Sequence, residues 1–294
     1  MTPLSQLEHP IVHTGTQETL ASRVLYLMHC KAYEQAASMV HNQDVLDWGC
    51  NDGYGIDILG PFARSVAGLD VAPAAVHLAR SKHPGHTIRL AGSDPDFPPE
   101  SFDVVTSFQV IEHVEDCDGY LSGVRSVLRP GGRFIATTPN RNIRLDPGME
   151  PWNPFHVREF SAADLHTLLS RWFSHVEVFG LHASPEVEAI ERARCKDARQ
   201  KVRHHNRKRI LPPYWKVRTA GIEAIKSMLP NSAVEFLRRE LPAAAPAAPA
   251  APITRFSTAD FWYSNQAVDQ ALDLMVVCRK NEGATKATPR TITG

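Results

Sequence analysis

The chain has 294 residues, 43% hydrophobic and 22% charged, enough for one sizeable core with an appendage or for two modest domains. Its five cysteines (30, 50, 117, 195 and 278) lack paired spacing, which argues against a disulfide framework or a zinc ribbon and for a reducing compartment. Basic and acidic side chains balance at 32 each, yet residues 191–218 hold eleven Lys/Arg against two Asp/Glu, a basic block on an otherwise acidic chain.

No apolar run approaches the roughly 18–20 residues of a membrane span, and the opening MTPLSQLEHP lacks a basic region followed by an apolar one, so the expectation is a cytoplasmic protein without a membrane span. Residues 1–40 form a helical lead-in, in which Leu20, Val24, Leu27 and Met28 recur at helical spacing. Strands are predicted at 44–47, 65–70, 87–91, 102–107, 132–138 and 174–179. Helices fall between most of them: Pro73 stands at a first helical position, Leu121, Val124 and Leu128 share a face, and Ser161 opens a capping box ahead of the stripe Leu165, Leu168, Leu169 and Trp172. This alternation over 41–182 predicts a doubly wound α/β core with a mainly parallel sheet.

From 183 to 264 the rhythm is interrupted by a charged helical stretch and by PAAAPAAPAAP (242–252), which reads as an extended tether. ALDLMVVCRK (271–280) is too apolar for a tail and returns to the sheet as its last strand, within a segment 265–280. The expectation is therefore a seven-stranded Rossmann-like sheet with a basic helical insertion before the last strand and a disordered tail at 281–294.

The first strand runs into VLDWGCNDGYG (45–55), a glycine-rich turn that lets backbone approach a ligand. A dinucleotide fingerprint needs G-x-G-x-x-G, and here positions 49, 51 and 54 are Gly, Asn and Tyr; no Lys-Ser/Thr follows to make a phosphate loop. Acids stand at three successive strand ends. Asp47 suits a cationic ligand end, Asp70 the two hydroxyls of a ribose, and Asp94 an adenine amino group. For each acid a cap or turn role is the alternative.

These stretches, with GLDVA, GSDPDFPPESFDVV, FQVIEHVED, VLRPGGRFIATTPN and FHVREFSAADL in the same order, resemble class I S-adenosylmethionine-dependent methyltransferases, in the group of the ubiquinone-biosynthesis O-methyltransferases. The likeness covers about half the chain, 41–182 and the last strand. It implies S-adenosyl-L-methionine as cofactor, held by Asp47, Gly49, Cys50, Asn51, Gly53, Asp70, Val71, Asp94, Phe108 and Gln109. Asn51 replaces the central glycine of the family's turn, a position where asparagine's tolerance of positive φ matters. No metal is expected.

Methyl transfer depends on placing a nucleophile in line, and a hydroxyl nucleophile gains from a base. His113 and His156 are the candidates; a helix-start role for the first and loop packing for the second are the alternatives. His29 or Tyr33, in HCKAY, is placed to close over the site, or else lies on an ordinary helix face. The acceptor is expected to be a small-molecule or glycan hydroxyl. RNA or protein substrates gripped by 195–218 remain open, with nucleic acid possible through that segment, as does a non-catalytic binding module.

Overall fold

The computed structural model describes residues 19–94, 96–208 and 255–282. Helix α1 (Leu20–Ala37) starts at a Thr19–Ser22 capping box. Its first half buries Val24, Leu27 and Met28 against Leu181, Ala183, Phe261 and Leu272. Its second half sends Ala32, Tyr33 and Ala36 into a cluster with Val45, Ile56, Val66 and Val104. The helix therefore spans two parts of one sheet.

That sheet consists of β1 (Asp44–Trp48), β2 (Ser65–Asp70), β3 (Ile88–Leu90), β4 (Phe102–Phe108), β5 (Leu128–Pro139), β6 (His175–Ala183), β7 (Phe261–Ser264) and β8 (Asp273–Arg279), in the order β3-β2-β1-β4-β5-β8-β6-β7. The first five are parallel, and β8 runs antiparallel between β5 and β6. Strands covered on both faces read as continuous apolar runs, and β4 is buried without a break from Val104 to Phe108. Helices α2 (Tyr54–Leu59), α3 (Pro73–Lys82), α4 (Cys117–Val127), the single-turn α5 (Arg141–Arg144), and α6 (Ala162–Leu169) make the connections.

Strand order reverses at β1, which pairs with β2 on one side and β4 on the other. A crevice opens at such a switch point, outside the carboxyl ends of the strands.

The sheet has eight strands among the described residues, not seven. Phe261–Ser264 lies within the expected insertion and pairs with Gly180–Ala183 at the end of β6. Phe261, Trp262 and Tyr263 favour strand by propensity, but four residues without alternation are too short for a period-2 pattern. Leu128 likewise is the first residue of β5 and pairs with Phe102. A buried leucine at that place fits a helix stripe and a strand equally well. Trp172 lies beyond the end of α6.

After β6 comes α7 (Pro185–Lys208), whose buried Val187, Glu191 and Cys195 recur every four residues. Its start is stitched to the returning chain: Ser184 N–H donates to Asp260 O (2.9 Å) and Arg255 pairs with Glu186 (2.6 Å). The tether 242–252 and residues 283–294 lie outside the described residues. No helix among the described residues is long and apolar enough to cross a membrane.

Phe134, fully buried in β5, stacks on Phe173 (centroids 5.6 Å apart) and meets Tyr120 edge-on. Phe134→Ala is expected to lower unfolding free energy by about 3–5 kcal/mol in a urea titration.

Candidate functional site

At the switch point lies a cavity of about 380 Å³. Trp48, Gly49, Asn51, Asp70 and Val71 line one half, and Glu112, His113, Arg144, Trp152 and His156 line the other. This volume is within the range of small-molecule sites.

The first half is built from backbone. Gly49 (φ +94°) and Asn51 (φ +51°) lie in the left-handed region, and Gly53 (φ +87°) precedes α2 in the same way. A Cβ on Gly49 would come within 2.4 Å of Val110 Cγ2, so the conformation and the space both require glycine there. Asn51 is one of the few side chains that accept this region, and its Oδ1 takes the Asp52 N–H at 2.8 Å, a local bond that holds the turn. The substitution leaves the loop closed.

Asp70 ties this turn to the end of β2. One carboxylate oxygen accepts the Asn51 N–H (2.9 Å) and the other accepts the Ala72 N–H (2.8 Å). Each oxygen keeps a further lone pair, and the group faces the cavity. That arrangement matches a vicinal diol and repels a polyphosphate, so the cavity suits the ribose of a nucleoside without phosphates.

Asp47 is placed differently from the expectation. It is fully buried beneath the turn and outside the cavity lining, where Tyr33 Oη and Thr106 Oγ1 each donate to it at 2.9 Å. Burial pushes its pKa up to about 7, against the lowering effect of those two hydroxyls. Asp94 also stands apart from the lining. It accepts the Leu90 N–H at 2.6 Å and pairs with Arg80, so it acts as a turn residue that fixes the end of β3. Ala91 takes the cavity position next to it.

Cys50 is buried behind the turn, packed under Gly68, and burial pushes its thiol well up. Gly53 shapes the helix start rather than the lining. Val71, Phe108 and Gln109 do line the cavity. Gln109 adopts φ +58° and donates through Nε2 to Asp273 (2.9 Å) and Thr137 Oγ1 (3.2 Å), which holds its backbone at the rim. Tyr33 is locked on Asp47, whereas His29 reaches the cavity, with burial lowering its pKa to about 4.

In the second half, His113 and His156 meet edge to face with ring centroids 4.8 Å apart. His113 Nδ1 lies 2.9 Å from Phe155 O, an acceptor only, so Nδ1 carries the proton and Nε2 the lone pair. His156 Nδ1 lies 2.9 Å from Glu159 Oε1, which also accepts from Arg144 Nε (2.9 Å). Burial lowers the His156 pKa in spite of that carboxylate.

Glu112, fully buried, accepts from Thr138 Oγ1 at 3.0 Å, and burial raises its pKa to about 8; its Oε1 has no hydrogen-bond partner among the described residues. Glu112, His113 and His156 offer ligand atoms all within 4.8 Å of one another, a donor set for a divalent cation. No metal was expected from the sequence. Glu112, Arg144, Trp152 and Arg194 were missed as site residues; only the adjacency of Glu112 to His113 marked one of them.

Residues 46–136 match the family profile described as a methyltransferase domain. A probable S-adenosylmethionine-dependent methyltransferase of Mycolicibacterium smegmatis is 44% identical over 143 residues, 48% of this chain and 55% of that protein. A ubiquinone biosynthesis O-methyltransferase of Cereibacter sphaeroides is 36% identical over 103 residues, 33% of this chain and 42% of that protein. The chain thus spans about half the length of the curated relatives it matches. A crystal structure of a possible histamine N-methyltransferase from Thermotoga maritima shares the fold, with a TM-score of 0.50 at 12% identity over 88% of this chain and 92% of that one. Residues 46–136 of the α/β core thus resemble a methyltransferase domain, and the likeness to S-adenosylmethionine-dependent enzymes extends over about half the chain.

Calorimetric titration with S-adenosylhomocysteine checks this half of the site. Asp70→Ala is expected to lose at least about tenfold in affinity, since a charge-assisted bond contributes roughly 1.5–3 kcal/mol, and Asn51→Gly to stay within about twofold. Unchanged affinity in Asp70→Ala would remove the ribose assignment.

Proposed function

We propose that the chain is an enzyme that methylates an oxygen nucleophile of a small molecule or glycan, with S-adenosylmethionine as donor and the His113–His156 pair as proton acceptor. One observation carries this reading: a single cavity is lined both by the Asp70 carboxylate and by two imidazoles whose Nδ1 atoms each face an acceptor oxygen. Gly49, Asn51, Asp70, Val71, Phe108 and Gln109 would hold the cofactor. When bound, it supplies an electrophilic methyl group on a sulfonium.

The protein's own residues then orient and deprotonate. Phe155 O and Glu159 fix the two rings, and the lowered pKa of His156 keeps it neutral near pH 7, ready to take a proton. Oxygen as the nucleophile is supported by the O-methyltransferase relatives, which match over part of their length.

A second reading assigns Glu112, His113 and His156 to a divalent cation, favoured by the unpartnered Glu112 Oε1. The cation would supply Lewis-acid chemistry to the acceptor oxygen. An RNA or protein acceptor held by 195–218 has less support. Arg192 and Arg194 pair with Glu188 and Glu191 on their own helix, and Arg199 and Arg203 turn onto Asp146 of the core. Residues 209–218 lie outside the described residues. Docked in this way, α7 acts as a cap that brings Arg194 to the cavity.

Turnover against a panel of phenols and glycans, with cofactor affinity measured in parallel, tests the proposal. His113→Ala and His156→Ala are each expected to lower kcat by about 10²-fold or more while S-adenosylhomocysteine affinity holds within about twofold. Equal losses in both quantities would mean packing. Because His156 is shifted downward, the acid limb of kcat/KM should fall below the ordinary histidine value of about 6.5. Turnover that survives EDTA supports the base, and loss restored by added Mg²⁺, Mn²⁺ or Zn²⁺ assigns the trio to a metal.

A further inference from the structure

Arg144 closes the single-turn α5, and its side chain is only 7% exposed. A guanidinium carries five N–H donors in a planar fork and keeps its charge, so burial demands acceptors. Nε is satisfied by Glu159 Oε1, and the guanidinium carbon lies 4.0 Å from the centroid of the Trp152 ring. The two terminal nitrogens donate to no acceptor among the described residues, and Arg144 lines the cavity. They are open to the cavity, where a ligand acceptor can engage them.

The surrounding acids do not fill this role. Glu112 bonds to Thr138, and Asp273 accepts from Gln109. Neither carboxylate accepts a hydrogen bond from Arg144. Glu191 is engaged by two nitrogens of Arg194 (2.5 and 2.7 Å). Glu159 is shared between Arg144 and His156. Arg144 thus faces the cavity with one shared carboxylate behind it, and Arg194 approaches the same Trp152 ring at 5.4 Å from α7.

We propose that the terminal nitrogens of Arg144 bind an oxyanion of the methyl acceptor, a carboxylate or a phosphate, with the acceptor's flat or apolar body against Trp152. The fork matches both groups in bidentate geometry, which a lysine does not. It fixes the acceptor at one end, with the imidazoles of His113 and His156 lining the same half of the cavity, so the gain is in orientation as well as affinity. A neutral analogue leaves the fork unpaired and is rejected for that reason. This inference rests on the methyl-transfer reading.

Ligand-observed NMR titrations of the full chain with benzoate, phenyl phosphate and benzamide test it, with S-adenosylhomocysteine affinity measured by calorimetry on the same preparations. At least one anion is expected to saturate, with benzamide about tenfold weaker or more, and the tighter anion tells carboxylate from phosphate. Arg144→Gln should weaken that anion by about tenfold while S-adenosylhomocysteine stays within about twofold. This variant strands Glu159, so the Arg144→Gln/Glu159→Gln pair, checked for an unchanged melting temperature, serves as the folded control and should show the same loss.

Equal affinity for benzoate and benzamide, no saturation by either anion, or an anion affinity unchanged in the folded variants would overturn the inference. If S-adenosylhomocysteine binds in that case, the methyl-transfer reading stands without it. Anion discrimination without S-adenosylhomocysteine binding would leave the oxyanion site in place and remove the cofactor reading.

Discussion

The Asp70 carboxylate is the constraint on which the site depends. It bridges two loops by accepting Asn51 N–H and Ala72 N–H, and so fixes the turn after β1 relative to the end of β2. Strand register alone would leave both loops adjustable. The bridge spans residues at φ +94° and +51° and fixes the cavity floor. A loop tied down by such bonds has less conformational freedom to lose when a ligand binds. The same atoms that stabilise the loop also present the acceptor lone pairs, so structure and recognition are one arrangement here.

Around this floor the protein buries several ionisable groups. Asp47, Glu112, Glu159, Glu191 and Asp273 are all buried, with Arg144 inside and Arg194 close by. Bare charges in such surroundings are costly unless paired or neutralised. Both solutions occur. Glu159 and Glu191 are paired with arginines, whereas Asp47, Glu112 and Asp273 have raised pKa values because burial favours the neutral acid. For Asp47 the linkage has a definite sign. Its folded pKa of about 7 exceeds the ordinary 3.8, so its contribution favours folding most below about pH 4 and is lost as pH rises through 7. A cationic ligand above it would act in the opposite direction and favour the ionised form.

Much of this was legible before any coordinates. The strands of the parallel half were marked by apolar runs, and the turn was marked by Gly49 and Gly53, because backbone conformation restricts composition strongly at such places. Asp70 was readable for the same reason, since an acid at the end of the second strand has a defined position relative to the first turn. Asp47 and Asp94 had the same sequence signature, yet one lies under the floor and the other faces Arg80. Direction of a side chain at a strand end is decided by neighbours such as Tyr33 and Thr106, which are distant in sequence. Arg144, Trp152 and Arg194 left no signal because they come together from α5, a loop and the start of the insertion. β7 was missed because four residues are too few to show alternation, although it pairs with β6.

The stitching of Ser184 to Asp260 and of Glu186 to Arg255 brings the outgoing and returning chain together at one point beside the sheet. Closing a loop across fixed anchors costs entropy that grows only with the logarithm of its length. The interval between α7 and the return at 255 can therefore change in length with little effect on the strands that carry the cavity. The length of that interval is in this way uncoupled from the strand pairing that anchors its two ends.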